Sequence, residues 1–154
     1  MNDLKNTEII KTSQLSYKYG AIGGILTSLL LVAINNSSGE AHPMYVALLK
    51  YIPLGLVVFL ALNILQKTVE KKSIFGKGAS IAFSLSIVAG LLVAAVNMIL
   101  YIVNPEWSFD KFGRVTTSLQ QAATVTAMLF FEILVVTNLI AFVILQYIKR
   151  DVKL

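Results

Sequence analysis

Cysteine is absent from this chain of 154 residues, and histidine occurs once. No disulfide framework, thiol redox pair or cysteine-held metal is available to it, and His42 cannot build a metal cluster by itself. Charge is also scarce. Charged side chains make up 14% of the residues against 56% apolar, and the mean hydropathy is +0.76. A soluble globular domain carries roughly 25% charged residues. The apolar residues here are gathered in blocks, which places the chain among integral membrane proteins, and the length fits one domain, residues 1–154. Enzyme motifs are missing too: there is no glycine-rich phosphate loop, no metal-ligand spacing and no nucleophile–base pair. "GAIGG", residues 20–24, is not a dinucleotide fingerprint. A non-enzymatic protein without a cofactor is the expectation.

What the chain does have is four apolar runs, at residues 17–34, 44–65, 79–103 and 122–148. The last three exceed the roughly 20 residues needed to cross a bilayer as a helix, and the first is just long enough. A span in lipid must be helical, because each backbone polar group has to be satisfied within the segment. Short connections between four such helices predict an all-α, up-down-up-down membrane bundle. Residues 1–16 are polar and mildly amphipathic, which predicts a frayed or interfacial helix. A signal peptide is the rival reading of the first run, with its basic start, short apolar core and following "SSG"; a retained first span is expected.

The basic residues orient the bundle. Ten of the 13 lysines and arginines fall in the N-terminus, the loop "QKTVEKKSIFGKG" and the C-terminus, leaving Lys50, Lys111 and Arg114 for the other side. Positive charge concentrates on the cytoplasmic side, so both termini are expected in the cytoplasm. The formal net charge of +5 invites a nucleic-acid reading. Basic residues beside apolar spans more commonly meet anionic head groups, so membrane lipids, and no nucleic acid, are the expected partners. The second outer loop, "NPEWSFDKFGRVTTSLQQ", carries Trp107, Phe109 and Phe112. Aromatics of this kind lie at head-group level, which predicts an interfacial helix there; a docking surface is the alternative.

Within the spans, Gly20, Gly24 and Ser28 recur every four residues, the small-xxx-small pattern that lets helix backbones approach closely. Ser86, Gly90 and Ala94 repeat it in the third span. Packing inside the bundle is the expected use, with a homodimer face as the alternative.

Glu132 is the only acidic residue in any long apolar run. It lies ten residues into the fourth run, about 15 Å deep at the helical rise. Lys50 and Asn97 each lie about 9 Å below the outer surface by the same arithmetic. Pro53 removes the amide that would bond the Leu49 carbonyl, which predicts a kink near Lys50. A charge at mid-bilayer costs about 2.5–3.5 kcal/mol on insertion scales. The expectation is a cluster of Glu132, Lys50 and Asn97. Three roles compete for Glu132: an internal ion pair that fixes helix register, a contact with another subunit, and a proton or ion relay. Asn138 lies about 120° from Glu132 around the fourth helix, and two polar faces point to contacts on two sides. Asn138 is thus the candidate partner-facing residue.

The stretches "YKYGAIGGIL", "SIFGKGASIAFSLSIVAGLL", "YIVNPEWSFDKF" and "FFEILVVTNLIAFVILQYIKR" together resemble the four-helix membrane family catalogued as domain of unknown function 4199, found mainly in the Bacteroidota. The resemblance spans nearly the whole chain. It implies a multi-pass protein of a bacterial inner membrane, with Glu132 at the family's acidic position. Val135 and Thr137 stand where members often have proline and glycine. The family has no established activity, so it assigns no functional residue. Its members often neighbour a gene for a polyprenyl-phosphate glycosyltransferase.

The function expected from these features is an accessory or scaffold subunit of an inner-membrane complex, with other membrane subunits as partners. The alternatives are a small ion- or proton-coupled transporter using Glu132, and a factor handling lipid-linked sugars.

Overall fold

A computed structural model describes residues 2–37, 48–69, 73–104 and 118–151. Four long helices account for almost all of them: α1 (Asn2–Ser37), α2 (Tyr51–Thr68), α3 (Ile74–Val103) and α4 (Leu119–Asp151). Each contains a stretch long and apolar enough to cross a membrane. No strand occurs among the described residues, and the chain is the all-α, four-helix membrane bundle that the apolar blocks predict. The loop of Trp107, Phe109 and Phe112, where an interfacial helix is expected, and the turn holding His42 lie outside the described residues.

The helix ends follow local chemistry. Ser118 caps α4: its hydroxyl accepts the Gln121 amide at 3.3 Å, satisfying one of the orphan donors of the first turn. α3 stops at Asn104, which turns extended (φ −151°, ψ 107°). The next residue is Pro105, and a residue before proline is driven out of the helical region.

Two boundaries differ from the sequence expectation. The polar residues 2–16 do not form a separate helix; they continue into the first span as one helix of 36 residues. The second span runs further at its far end, to Thr68 rather than Leu65, while its expected start at Met44 lies outside the described residues; within them Leu48 and Leu49 are helical, Lys50 is a turn, and the continuous helix begins at Tyr51. Pro53 explains the break. As the third residue of α2 it occupies the first turn, where amides have no intrahelical acceptor to lose. The 18 residues of α2 cover about 27 Å at 1.5 Å per residue.

α3 packs along both α1 and α4, while α2 lies against α1 and α4 and touches α3 less. The order around the bundle is therefore α1, α2, α4, α3, and the α2–α3 connection crosses a diagonal. In consequence α1 runs parallel to its neighbour α3. Their approach uses the small residues. A Cβ on Gly20 would stand 2.8 Å from the Val88 Cβ and 2.9 Å from the Leu85 carbonyl oxygen. One on Gly24 would stand 2.9 Å from the Leu92 Cβ and 3.1 Å from the Ala89 Cα. Ser28 continues the stripe, buried, with its hydroxyl returned to the Gly24 carbonyl at 2.8 Å. In the third span Gly90 makes room instead for the Phe130 ring of α4, whose nearest carbon would be 2.9 Å from an added Cβ. Both small-residue motifs thus pack inside the bundle.

The interior divides into two apolar clusters. One, near the basic end, contains Leu62, Leu65, Ile81, Leu85 and Leu145; the other contains Leu54, Ala89, Val93 and Ile133. The outward surface is apolar too, with Leu29, Leu56, Phe83, Leu91, Phe131 and Leu139 all exposed. A surface of this kind suits hydrocarbon, in which polar side chains face inward.

Candidate functional site: polar pairs inside the bundle

Glu132 and Lys50 meet. The Lys50 ammonium stands 2.8 Å from Glu132 Oε1, with side chains 5% and 14% exposed. Chain geometry accounts for the match in level. Near the basic end, Gly78 of α3 packs against both Leu62 of α2 and Leu145 of α4, so those two residues share a level. From Leu62 back to Lys50 is twelve residues, and from Leu145 back to Glu132 is thirteen, or about 18 Å and 19.5 Å at the helical rise. α2 and α4 run in the same direction, so the two side chains arrive together. Lys50 is the N-cap residue of α2, placed by the break ahead of Pro53. Its ammonium also lies 5.1 Å from the centre of the Tyr51 ring, a distance at which the ring's quadrupole attracts a cation.

The break has an electrostatic side. The N-terminus of a helix carries a partial positive charge, which favours an anion and disfavours a lysine. Lys50 stands at that N-terminus and its ammonium is paired with Glu132, which suits a carboxylate in a medium where an uncompensated charge is costly.

Asn97 donates through Nδ2 to the Thr126 hydroxyl at 2.8 Å and is fully buried. Thr126 is six residues outward of Glu132 along α4, about 9 Å. The predicted cluster is thus a pair plus a separate outward bond. Asn138 lies six residues inward of Glu132. Its Nδ2 donates to the Ser86 hydroxyl at 2.9 Å and to its own helix at the Leu134 carbonyl, 2.7 Å. The side chain singled out for another subunit makes these bonds inside the chain. Ser86 passes the interaction on by donating to the Phe83 carbonyl at 2.8 Å.

Sequence reasoning did not single out Thr126 or Ser86 as hydrogen-bond partners. Hydroxyls in spans usually bond their own helix carbonyls, so nothing in the sequence marks one that reaches across. It also missed Thr27 and Thr137. Both are 0% exposed, and neither hydroxyl has a hydrogen-bond partner. A buried hydroxyl without a partner costs roughly 1–3 kcal/mol by protein mutational data.

The arrangement contains one neutralised charge pair and two amide–hydroxyl bonds, spread along about 18 Å of α4. Among the described residues no three of His, Cys, Asp and Glu gather as a metal site. Comparison of the chain with protein-family models, with curated proteins and with solved structures gives no match.

Proposed function

We propose that the protein is a non-enzymatic accessory or scaffold subunit of a bacterial inner-membrane complex, oriented with both termini in the cytoplasm, and a member of the four-helix family it resembles. One observation carries the reading: the polar groups of different spans are committed to one another. Lys50 neutralises Glu132, Asn97 holds Thr126 and Asn138 holds Ser86. A catalytic site needs such groups to converge on a substrate with pairings that change during reaction. Cross-bonds distributed along a bundle instead fix register and shape. The outward apolar surface is then the face available to lipids and to the helices of other subunits.

Purification of the intact protein in gentle detergent, with mass spectrometry and crosslinking in cells, tests the proposal. Reproducible recovery of a distinct membrane protein is expected. Recovery of monomer or homo-oligomer alone, across detergents and in the crosslinked sample, sinks it.

The second reading, an ion- or proton-coupled transporter with Glu132 as carrier, is favoured by the depth of the charge pair in the bundle. Glu132→Gln preserves shape and removes the titrating group. Unchanged pH-dependent uptake in that variant rules against the carrier.

A further inference from the structure

Thr27 and Thr137 stand apart from the other buried hydroxyls among the described residues. Ser16, Ser28 and Ser86, like the exposed Thr68 and Thr124, each donate to a carbonyl three or four residues back in their own helix, at 2.8–3.1 Å. Backbone of the same kind surrounds Thr27 and Thr137, yet their hydroxyls make no such bond, and both are wholly buried.

Their positions are informative. Gly23 packs on Leu54 and Val57 of α2. The two helices run antiparallel, so Thr27, four residues further along the same face of α1, is level with Lys50 and Pro53. That is the level of the charge pair. Thr137 lies five residues past Glu132, about 7.5 Å further toward the basic end. It sits between Ile133 and Ala141 on the buried stripe of α4. One hydroxyl therefore shares the layer of the ion pair and the other the layer below it.

We propose that the bundle interior holds ordered water on the Thr27 hydroxyl, beside the Lys50–Glu132 pair. Water is the ligand whose chemistry fits: it both donates and accepts, it is small enough for a packed interior, and buried water is typically found on otherwise unsatisfied polar groups. An ammonium has three protons to donate and a carboxylate several acceptor sites, so the ion pair supplies the further partners that a water at Thr27 requires. Hydration also lowers the electrostatic cost of holding the two charges inside the bundle. The inference does not depend on the subunit reading, since it concerns the interior of the single chain.

Water-edited solid-state NMR on the full chain, isotopically labelled and reconstituted in phosphatidylethanolamine–phosphatidylglycerol vesicles, reads the site directly. Magnetisation from water should reach the Thr27 Cβ carbon about threefold faster than it reaches Leu62 and Val93, which report a dry core. Build-up at Thr27 as slow as at Leu62 and Val93 overturns the proposal. Thr27→Val keeps the shape and deletes the hydroxyl. It should slow transfer to the Lys50 Cε by about half, with Thr27→Ser restoring it, because the displaced water loses an anchoring partner. Transfer to Lys50 that is unaffected by Thr27→Val overturns the Thr27 site.

Discussion

Replacing Lys50 and Glu132 singly and together separates the worth of the pair from the cost of breaking it. At the observed 2.8 Å, two unit charges attract by about 6 kcal/mol at an effective dielectric of about 20. Removal from water opposes this gain, since both side chains are largely buried. Losing one partner strands the other charge in the interior, at a cost of about 3–5 kcal/mol. Losing both strands nothing, and well-packed apolar replacements of buried ion pairs are often neutral or stabilising by about 1–4 kcal/mol. Methionine is the replacement of choice at both positions, being unbranched and long enough to fill either volume. Lys50→Met and Glu132→Met should each destabilise the bundle by about 3 kcal/mol or more, and the double variant should return to within about 1 kcal/mol of the parent. Equilibrium unfolding in mixed micelles of mild detergent and dodecyl sulfate, followed by helical circular dichroism, measures all four proteins. A double variant whose loss equals the sum of the single losses would falsify the direct pair. Single variants that both lose less than about 1 kcal/mol would place the pair in an environment as forgiving as an exposed surface, against the burial on which the argument rests.

Three further outcomes follow from particular contacts. Gly24→Ala should cost about 1–3 kcal/mol in the same assay, since its Cβ meets α3 backbone and the Leu92 Cβ at 2.9–3.1 Å and overpacking costs that much. Gly55→Ala, with nothing within 4 Å of an added Cβ, should be neutral or stabilising by up to about 1 kcal/mol through helix propensity; a loss as large as that of Gly24→Ala would contradict the packing described. Asn138→Leu should cost about 1 kcal/mol, the typical worth of an interhelical hydrogen bond in a membrane protein, and Ser86→Ala should add little to it; full additivity would mean that the two side chains are not partnered. The absence of native cysteine makes topology easy to read: Ser118→Cys in intact cells should react with an impermeant maleimide and Lys67→Cys should not, the reverse pattern inverting the orientation.

Much of the fold was legible because the bilayer leaves few choices. Four apolar blocks had to be helices, and small residues at four-residue spacing had to sit where helices approach. The Lys50–Glu132 pair was legible for a related reason, since an acidic side chain deep in a span needs compensation and the chain offers few cations at that level. Hydropathy counts residues 44–50 as span and carries no mark of the turn at Lys50. Proline is best tolerated in the first turn, and Pro53 is the third residue of the continuous helix that Lys50 caps. The order of helices around the bundle had no local signal. It depends on α1 presenting its small face to α3 while α3 turns Gly90 toward α4, a choice that becomes visible only when Gly24 and Gly90 are seen against different neighbours.

Asn138 and Glu132 show why a helical wheel read in isolation misassigns direction. Six residues advance about 600°, so the two side chains leave α4 roughly 120° apart. On a wheel with one inside and one outside, that separation places one of them outside. A helix in a four-helix bundle has two flanking neighbours, and the directions to them diverge widely. Glu132 reaches α2 on one flank and Asn138 reaches α3 on the other; Ile133, Thr137 and Ala141 are buried in the wider arc of roughly 240° between them, and the narrower sector carries the exposed Phe131, Val135 and Leu139. Residues on the Glu132 side of the wheel, Met128, Leu139 and Val143, are exposed, so Glu132 sits at the edge of the inward arc and reaches inward from there. The same divergence ties α4 to both neighbours through polar bonds at different levels. Sliding α4 along either neighbour breaks a bond, and rotating it breaks both.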